Sequence, residues 1–102
     1  MIKITVYKFS APWCSQCKVL KPIFDRIAER HPELDYQEIN VDDESSEPLV
    51  DHFGIMTLPT VVITDNSGTD RKITGVQQEA ALEEFILASA DYIREHGNET
   101  EG

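Results

Sequence analysis

Residues 2–9 follow a period of two, with Ile2, Ile4 and Val6 on one face. A period of two places successive side chains on opposite sides of an extended chain, so this segment reads as a strand. Ser10-Ala11-Pro12 breaks it. From Cys14 onward the period lengthens: Leu20, Ile23, Phe24, Ile27 and Ala28 fall on one face of a helix. Pro22 lies inside that helix, where a missing N–H and a bulky ring predict a kink. His31-Pro32 ends it. Residues 35–41 predict a second strand, with Ile39 and Val41 as core positions.

Asp42-Asp43-Glu44-Ser45-Ser46 reads as an acidic loop. A short helix is expected over 47–53, with Pro48 in its first turn and Gly54 as its stop. Thr60 to Thr64 is rich in β-branched residues and predicts a buried strand. Asp65-Asn66-Ser67-Gly68 supplies a turn, and residues 69–74 return as the hairpin partner. A last helix is expected over 78–94, its inner stripe formed by Leu82, Phe85, Ile86, Ser89 or Ala90, and Ile93. The order β-α-β-α-β-β-α, with a right-handed crossover between the first two strands, implies an α/β domain. Its sheet is four-stranded and mixed, with helices on both faces. The domain is expected to span 1–95, leaving 96–102 as a flexible acidic tail.

The 102 residues suffice for one domain. A net charge of −10, from 19 acidic and 9 basic residues, excludes nucleic acid and anionic membranes as partners, because both need clustered cations. The acidity reads first as solubility and, more sharply, as attraction for basic partners. Apolar runs such as Val61-Val62-Ile63 are far shorter than a membrane span. The alternating start, Met1 to Tyr7, lacks the continuous apolar run of a secretory signal. With Met1 as the native start, the expected compartment is the cytoplasm, and Asn98-Glu99-Thr100 is then no glycosylation site. Thiols stay reduced there, so a cysteine pair points to catalysis or metal binding before a structural bridge.

Trp13-Cys14-Ser15-Gln16-Cys17 falls where the first strand meets the first helix. A helix N-terminus carries unpaired N–H groups and partial positive charge, which stabilise a thiolate, and the thiolate is the nucleophile. Cys14, at the helix start, is therefore expected to attack a disulfide. Cys17, one turn deeper, is expected to resolve the mixed disulfide. A purely structural bridge over so short a loop would remove little chain entropy. For a metal, the pair would need two of His31, His52 and His96, which show no ligand spacing and read as solvated. An iron–sulfur cluster would need thiols from a second chain. No metal or other cofactor is expected.

With these residues in place, the chain resembles the thioredoxin family over roughly residues 2–93. The matching pieces are Phe9-Ser10-Ala11-Pro12-Trp13-Cys14, Cys17-Lys18, Pro22, Phe53-Gly54-Ile55-Met56-Thr57-Leu58-Pro59-Thr60, and Gly75. The resemblance implies a trimmed thioredoxin-like fold and a thiol–disulfide oxidoreductase acting in electron transport and cell redox homeostasis. Its substrates would be protein disulfides, and a thioredoxin reductase or other thiol donor would recycle it. It implies that Trp13 flanks the active site and that Pro59 is a cis proline facing the cysteines, turning the Leu58 backbone outward toward an extended substrate. Leu58, Pro59 and Gly75 would join Trp13 in binding that substrate.

Three features depart from the family. Ser15-Gln16 stands between the cysteines where thioredoxins usually carry Gly-Pro, so redox potential and direction of electron flow are open. The buried acid that the family carries six residues before the nucleophile is replaced by Lys8, and the position of its usual lysine partner holds Glu38. Lys8 continues the Ile2, Ile4, Val6 face, which suggests a charge-swapped pair for proton transfer beneath the motif; the alternative is that both side chains run out to solvent. The third is that the chain starts directly at the strand leading to the cysteines, without the family's usual extra strand and helix.

Two other function classes compete. Thr57-Leu58-Pro59 resembles the Thr-Val-Pro of glutaredoxins, which use glutathione. Yet Gly75-Val76-Gln77 lacks the paired glycines and following acid, and an acidic chain offers few cations for glutathione's carboxylates. A non-catalytic interaction subunit is opposed by the presence of both cysteines and Trp13. A monomer is expected, because no exposed apolar stripe is evident.

Overall fold

The computed structural model describes residues 3–96. Ile2, at the start of the expected first strand, and 97–102, with Asn98-Glu99-Thr100 and most of the expected tail, lie outside the described residues.

The chain forms β1 (Thr5–Ser10), α1 (Ser15–Arg30), β2 (Asp35–Asn40), a 3₁₀ turn (Glu44–Ser46), α2 (Glu47–Phe53), β3 (Thr60–Thr64), β4 (Asp70–Thr74) and α3 (Glu79–His96). The sheet order is β2-β1-β3-β4. β1 and β2 run parallel, while β1–β3 and β3–β4 are antiparallel. This is the expected four-stranded mixed sheet.

All six residues of β1 are buried. It lies inside the sheet with helices on both sides. Val6 packs with Leu20, Phe24 and Ile27 of α1 and Leu82, Ile86 and Ile93 of α3. On the other side Tyr7 and Phe9 pack with Phe53 of α2 and Val62 of β3. The Tyr7 hydroxyl donates to Asn66 Oδ1 at 3.4 Å, which satisfies its polar end. β3 is likewise buried throughout, as expected of a strand covered on both faces.

Local chemistry sets the joints. Gly54 caps α2 with φ +63°, and Lys72 Nζ donates to the Phe53 carbonyl at 2.8 Å, where the negative end of the helix favours a cation. In the hairpin, Asp65 Oδ1 accepts from the N–H groups of Ser67 at 2.9 Å and Thr69 at 3.3 Å. The acidic loop after β2 is tighter than expected: Ser46 is buried and its hydroxyl donates to the Asp43 carbonyl at 2.7 Å, closing the 3₁₀ turn. α3 extends to His96, where the Tyr92 ring lies 4.1 Å from the imidazole.

An ion-pair network ties α1 to α3. Arg26 Nε donates to Glu79 Oε1 at 2.8 Å, and Arg30 grips Glu83 through Nε at 3.1 Å and Nη2 at 3.0 Å. His31, expected on a solvated surface, is half-buried instead, its Nε2 lying 2.6 Å from Glu83 Oε2. The hydrogen bonds from Arg30, and then from His31, lower the Glu83 carboxyl from 4.5 to about 2. Hydrogen bonds from Arg26 and Arg30 lower Glu79 as well.

A carboxyl whose folded-state value is depressed stabilises the fold above its unfolded value and loses that contribution as pH falls. Chemical denaturation over a pH series is therefore expected to show stability falling between pH 4.5 and about 2. The fall should be shallower in Glu83→Gln, with the two curves converging at the acid end. Curves that stay parallel down to acid would contradict a role for this network.

Candidate active site

The central strand places the motif. β1 ends at Ser10, and the Cys14 N–H donates to the Ala11 carbonyl at 3.1 Å, folding the chain into a turn. Cys14 is thereby the N-cap of α1, with extended backbone angles of φ −92° and ψ 108°. The Cys17 N–H donates to Cys14 Sγ at 3.2 Å, so the sulfur occupies the place usually taken by a capping oxygen. Although the chain is strongly acidic, the first turn of α1 holds no acid to offset the positive helix end. Ser15 and Gln16 are both exposed, and the bond to the sulfur comes from the backbone of Cys17. Cys14 and Cys17 form a disulfide across 5.3 Å between their Cα atoms.

The two cysteines line different hollows. Cys14 borders a mainly apolar groove of about 320 Å³ with Trp13, Val41, Ile55, Met56 and Leu58. Trp13 is 68% exposed and Met56 94% exposed. The indole is not free to swing, because its Nε1 donates to Asp42 Oδ2 at 3.0 Å. The Leu58–Pro59 peptide bond is cis. Gly75, at φ +85°, donates its N–H to the Pro59 carbonyl at 2.8 Å and so fastens the cis-proline loop to the end of β4. That φ is costly for any residue with a Cβ.

Cys17 borders a second cavity of about 210 Å³, whose lining includes the polar and charged residues Ser10, Lys21, Glu38 and Asn40 beside Pro12. Lys8 and Glu38 are direct partners in the β1–β2 register. Lys8 is 1% exposed, and its Nζ lies 3.4 Å from Glu38 Oε2 and 5.1 Å from the centre of the Phe24 ring. Among the described residues this ammonium has the ion pair but no well-aligned hydrogen bond. The Ser10 hydroxyl donates to the same carboxylate oxygen at 3.3 Å, while Lys21 Nζ lies 3.6 Å from Oε1.

Sequence reasoning missed three residues here. Asp42 was hidden within a run of acids, with nothing to single out the one that meets the indole. Met56 read only as part of a family segment. Lys21 did carry a signal, since it lies four residues after Cys17 and so on the same helical face. Of the histidines, His52 is exposed with its ring 4.7 Å from Phe53, and His31 is engaged by Glu83. Among the described residues, no group of three or more His, Cys, Asp or Glu side chains is placed to hold a metal ion. Nor is any described helix long and apolar enough to cross a membrane.

Comparison with known proteins agrees with this geometry. The thioredoxin family model matches residues 2–88. A thioredoxin from Ophiophagus hannah is 34% identical over 84 residues, covering 82% of this chain and 77% of the relative. A thioredoxin from Gallus gallus is 32% identical over 84 residues, with the same shares of 82% and 77%. Among solved structures, thioredoxin NaTrxh from Nicotiana alata superposes with a TM-score of 0.74 at 27% identity, covering 87% of this chain and 75% of that one. Fasciola hepatica thioredoxin gives 0.73 at 25% identity, covering 85% and 81%. The glutathione-dependent alternative gains no support from these matches. The matched span takes in both the cysteine pair and the cis-proline loop, so this chain belongs to the thioredoxin family and is a protein-disulfide oxidoreductase.

Proposed function

We propose that the protein is a dithiol reductant of protein disulfides in the cytoplasm, acting as a monomer, with Cys14 as the attacking thiolate and Cys17 as the resolving thiol. One observation carries this assignment of roles: the two cysteines border different hollows. Cys14 opens on the apolar groove, where a protein segment can dock, and it holds the cap position at the positive end of α1. Cys17 opens on the second cavity, which the charged residues Lys18, Lys21 and Glu38 help to line.

In the reduced protein the Cys14 thiolate attacks one sulfur of a substrate disulfide. A Cys14–substrate bond forms and the first substrate thiolate leaves. Cys17 then loses its proton and attacks Cys14 Sγ. The Cys14–Cys17 bond forms and the second substrate thiolate leaves. The dithiol has given up two electrons, and a thioredoxin reductase or another thiol donor restores them. Trp13, Leu58, Pro59 and Gly75 form the platform for an extended substrate segment. Glu38 receives the Cys17 proton across that cavity, directly or through water, and the Lys8 ammonium holds the carboxylate beneath the motif.

Trapping tests the roles. Cys17→Ser is expected to accumulate a stable mixed disulfide with a disulfide-containing protein, seen by non-reducing electrophoresis, while Cys14→Ser accumulates none. Adducts on both variants alike would contradict the assignment. Lys8→Met is expected to slow release of the mixed disulfide at neutral pH, followed by rapid quench. An unchanged release rate in a folded variant would remove Lys8 from the mechanism.

A further inference from the structure

Glu38 is half-exposed on an edge strand, a position from which a carboxylate ordinarily turns toward bulk water. Here three groups surround it. Lys8 Nζ, buried on β1, lies 3.4 Å from Oε2, and the Ser10 hydroxyl, also on β1, donates to that oxygen at 3.3 Å. Lys21 Nζ, on α1, lies 3.6 Å from Oε1 on the opposite side. Lys18 is the other charged residue lining the cavity. Lys21 is itself placed by Asp25, one helical turn on, at 3.3 Å. The Asp25 hydrogen bond, followed by the charge of Glu38, raises the Lys21 ammonium above its ordinary range. One carboxylate is thus clasped between a buried cation below and an exposed cation at the mouth of the cavity that Cys17 borders.

We infer that Lys21 is a positioning residue for the resolving step: it holds Glu38 over the Cys17 cavity and sets the pH at which Cys17 gives up its proton. The inference rests on the reading of Glu38 as proton acceptor. Lys8 alone does not fix the carboxylate, because it engages only Oε2 and leaves Oε1 free to rotate outward. Lys21 engages Oε1 and completes the clasp.

The test is stopped-flow oxidation of the reduced protein by a chromogenic aryl disulfide, dithio-bis-nitrobenzoate. The first phase is bimolecular: Cys14 bonds to one aryl sulfur and one aryl thiolate leaves. The second phase is unimolecular: Cys17 attacks Cys14, its proton is taken up, and the second aryl thiolate leaves. In Lys21→Met the second phase is expected to slow relative to the first at neutral pH. Its pH midpoint should move upward by about 0.3–0.7 unit, the size expected of one partly exposed charge pair. Lys21→Arg should restore the wild-type midpoint, and Lys21→Met should cause no further shift in a Glu38→Gln background. A general loss of packing would change denaturation but not move the midpoint selectively.

If Glu38→Gln alters the second phase while Lys21→Met leaves the midpoint in place, the inference about Lys21 fails and the proton-acceptor reading stands. An equal Lys21→Met shift with Glu38→Gln already present would also overturn it, by showing that Lys21 acts on Cys17 directly. If Glu38→Gln leaves the second phase unchanged, the proton-acceptor reading and the inference fall together.

Discussion

The burial of β1 on both faces is the constraint on which the rest of this structure depends. Strand β1 is clasped by α1 and α3 through Val6 and by α2 through Tyr7 and Phe9. Full burial of a side chain such as Phe9 stabilises the fold by about 1.5–3 kcal/mol. A strand held this firmly ends at a fixed place. The turn after Ser10 then has one outcome: Cys14 caps α1 with its sulfur facing the backbone N–H of Cys17. The same strand carries Lys8 into the interior opposite Glu38. Core packing and redox chemistry therefore share one element.

The site divides into two environments on either side of a single disulfide. On the Cys14 side, Trp13, Met56 and Leu58 present apolar surface, with the indole tethered by Asp42. On the Cys17 side, the lining includes the charged residues Lys18, Lys21 and Glu38. The division suits the proposed roles, in which Cys14 meets a protein partner and Cys17 sheds a proton. The chain's excess negative charge spares the first turn of α1, leaving the helix end to act on the Cys14 sulfur without an opposing carboxylate.

Much of this was legible in the sequence because the signals were local. Gly54 and Pro48 bounded α2, the β-branched run Thr60–Thr64 gave β3, and the change of period at Cys14 located the start of α1. The motif residues around Cys14 and Pro59 led to the family on their own. What escaped was set by tertiary contact. His31 was drawn inward by Glu83, more than fifty residues away in the chain. The tether from Asp42 to Trp13 and the clasp of Lys21 on Glu38 likewise join separate elements.

The central claim is that this cysteine pair donates electrons, and its reduction potential tests that most directly. Equilibrating the protein against glutathione or dithiothreitol buffers measures it, and about 30 mV corresponds to ~1.4 kcal/mol for a two-electron couple. The account predicts a value near about −270 mV, as for thioredoxin, with Ser15-Gln16 preserving a reductant. A value of about −180 mV or higher, toward the isomerases and oxidases, would contradict it, since such a pair takes up electrons instead.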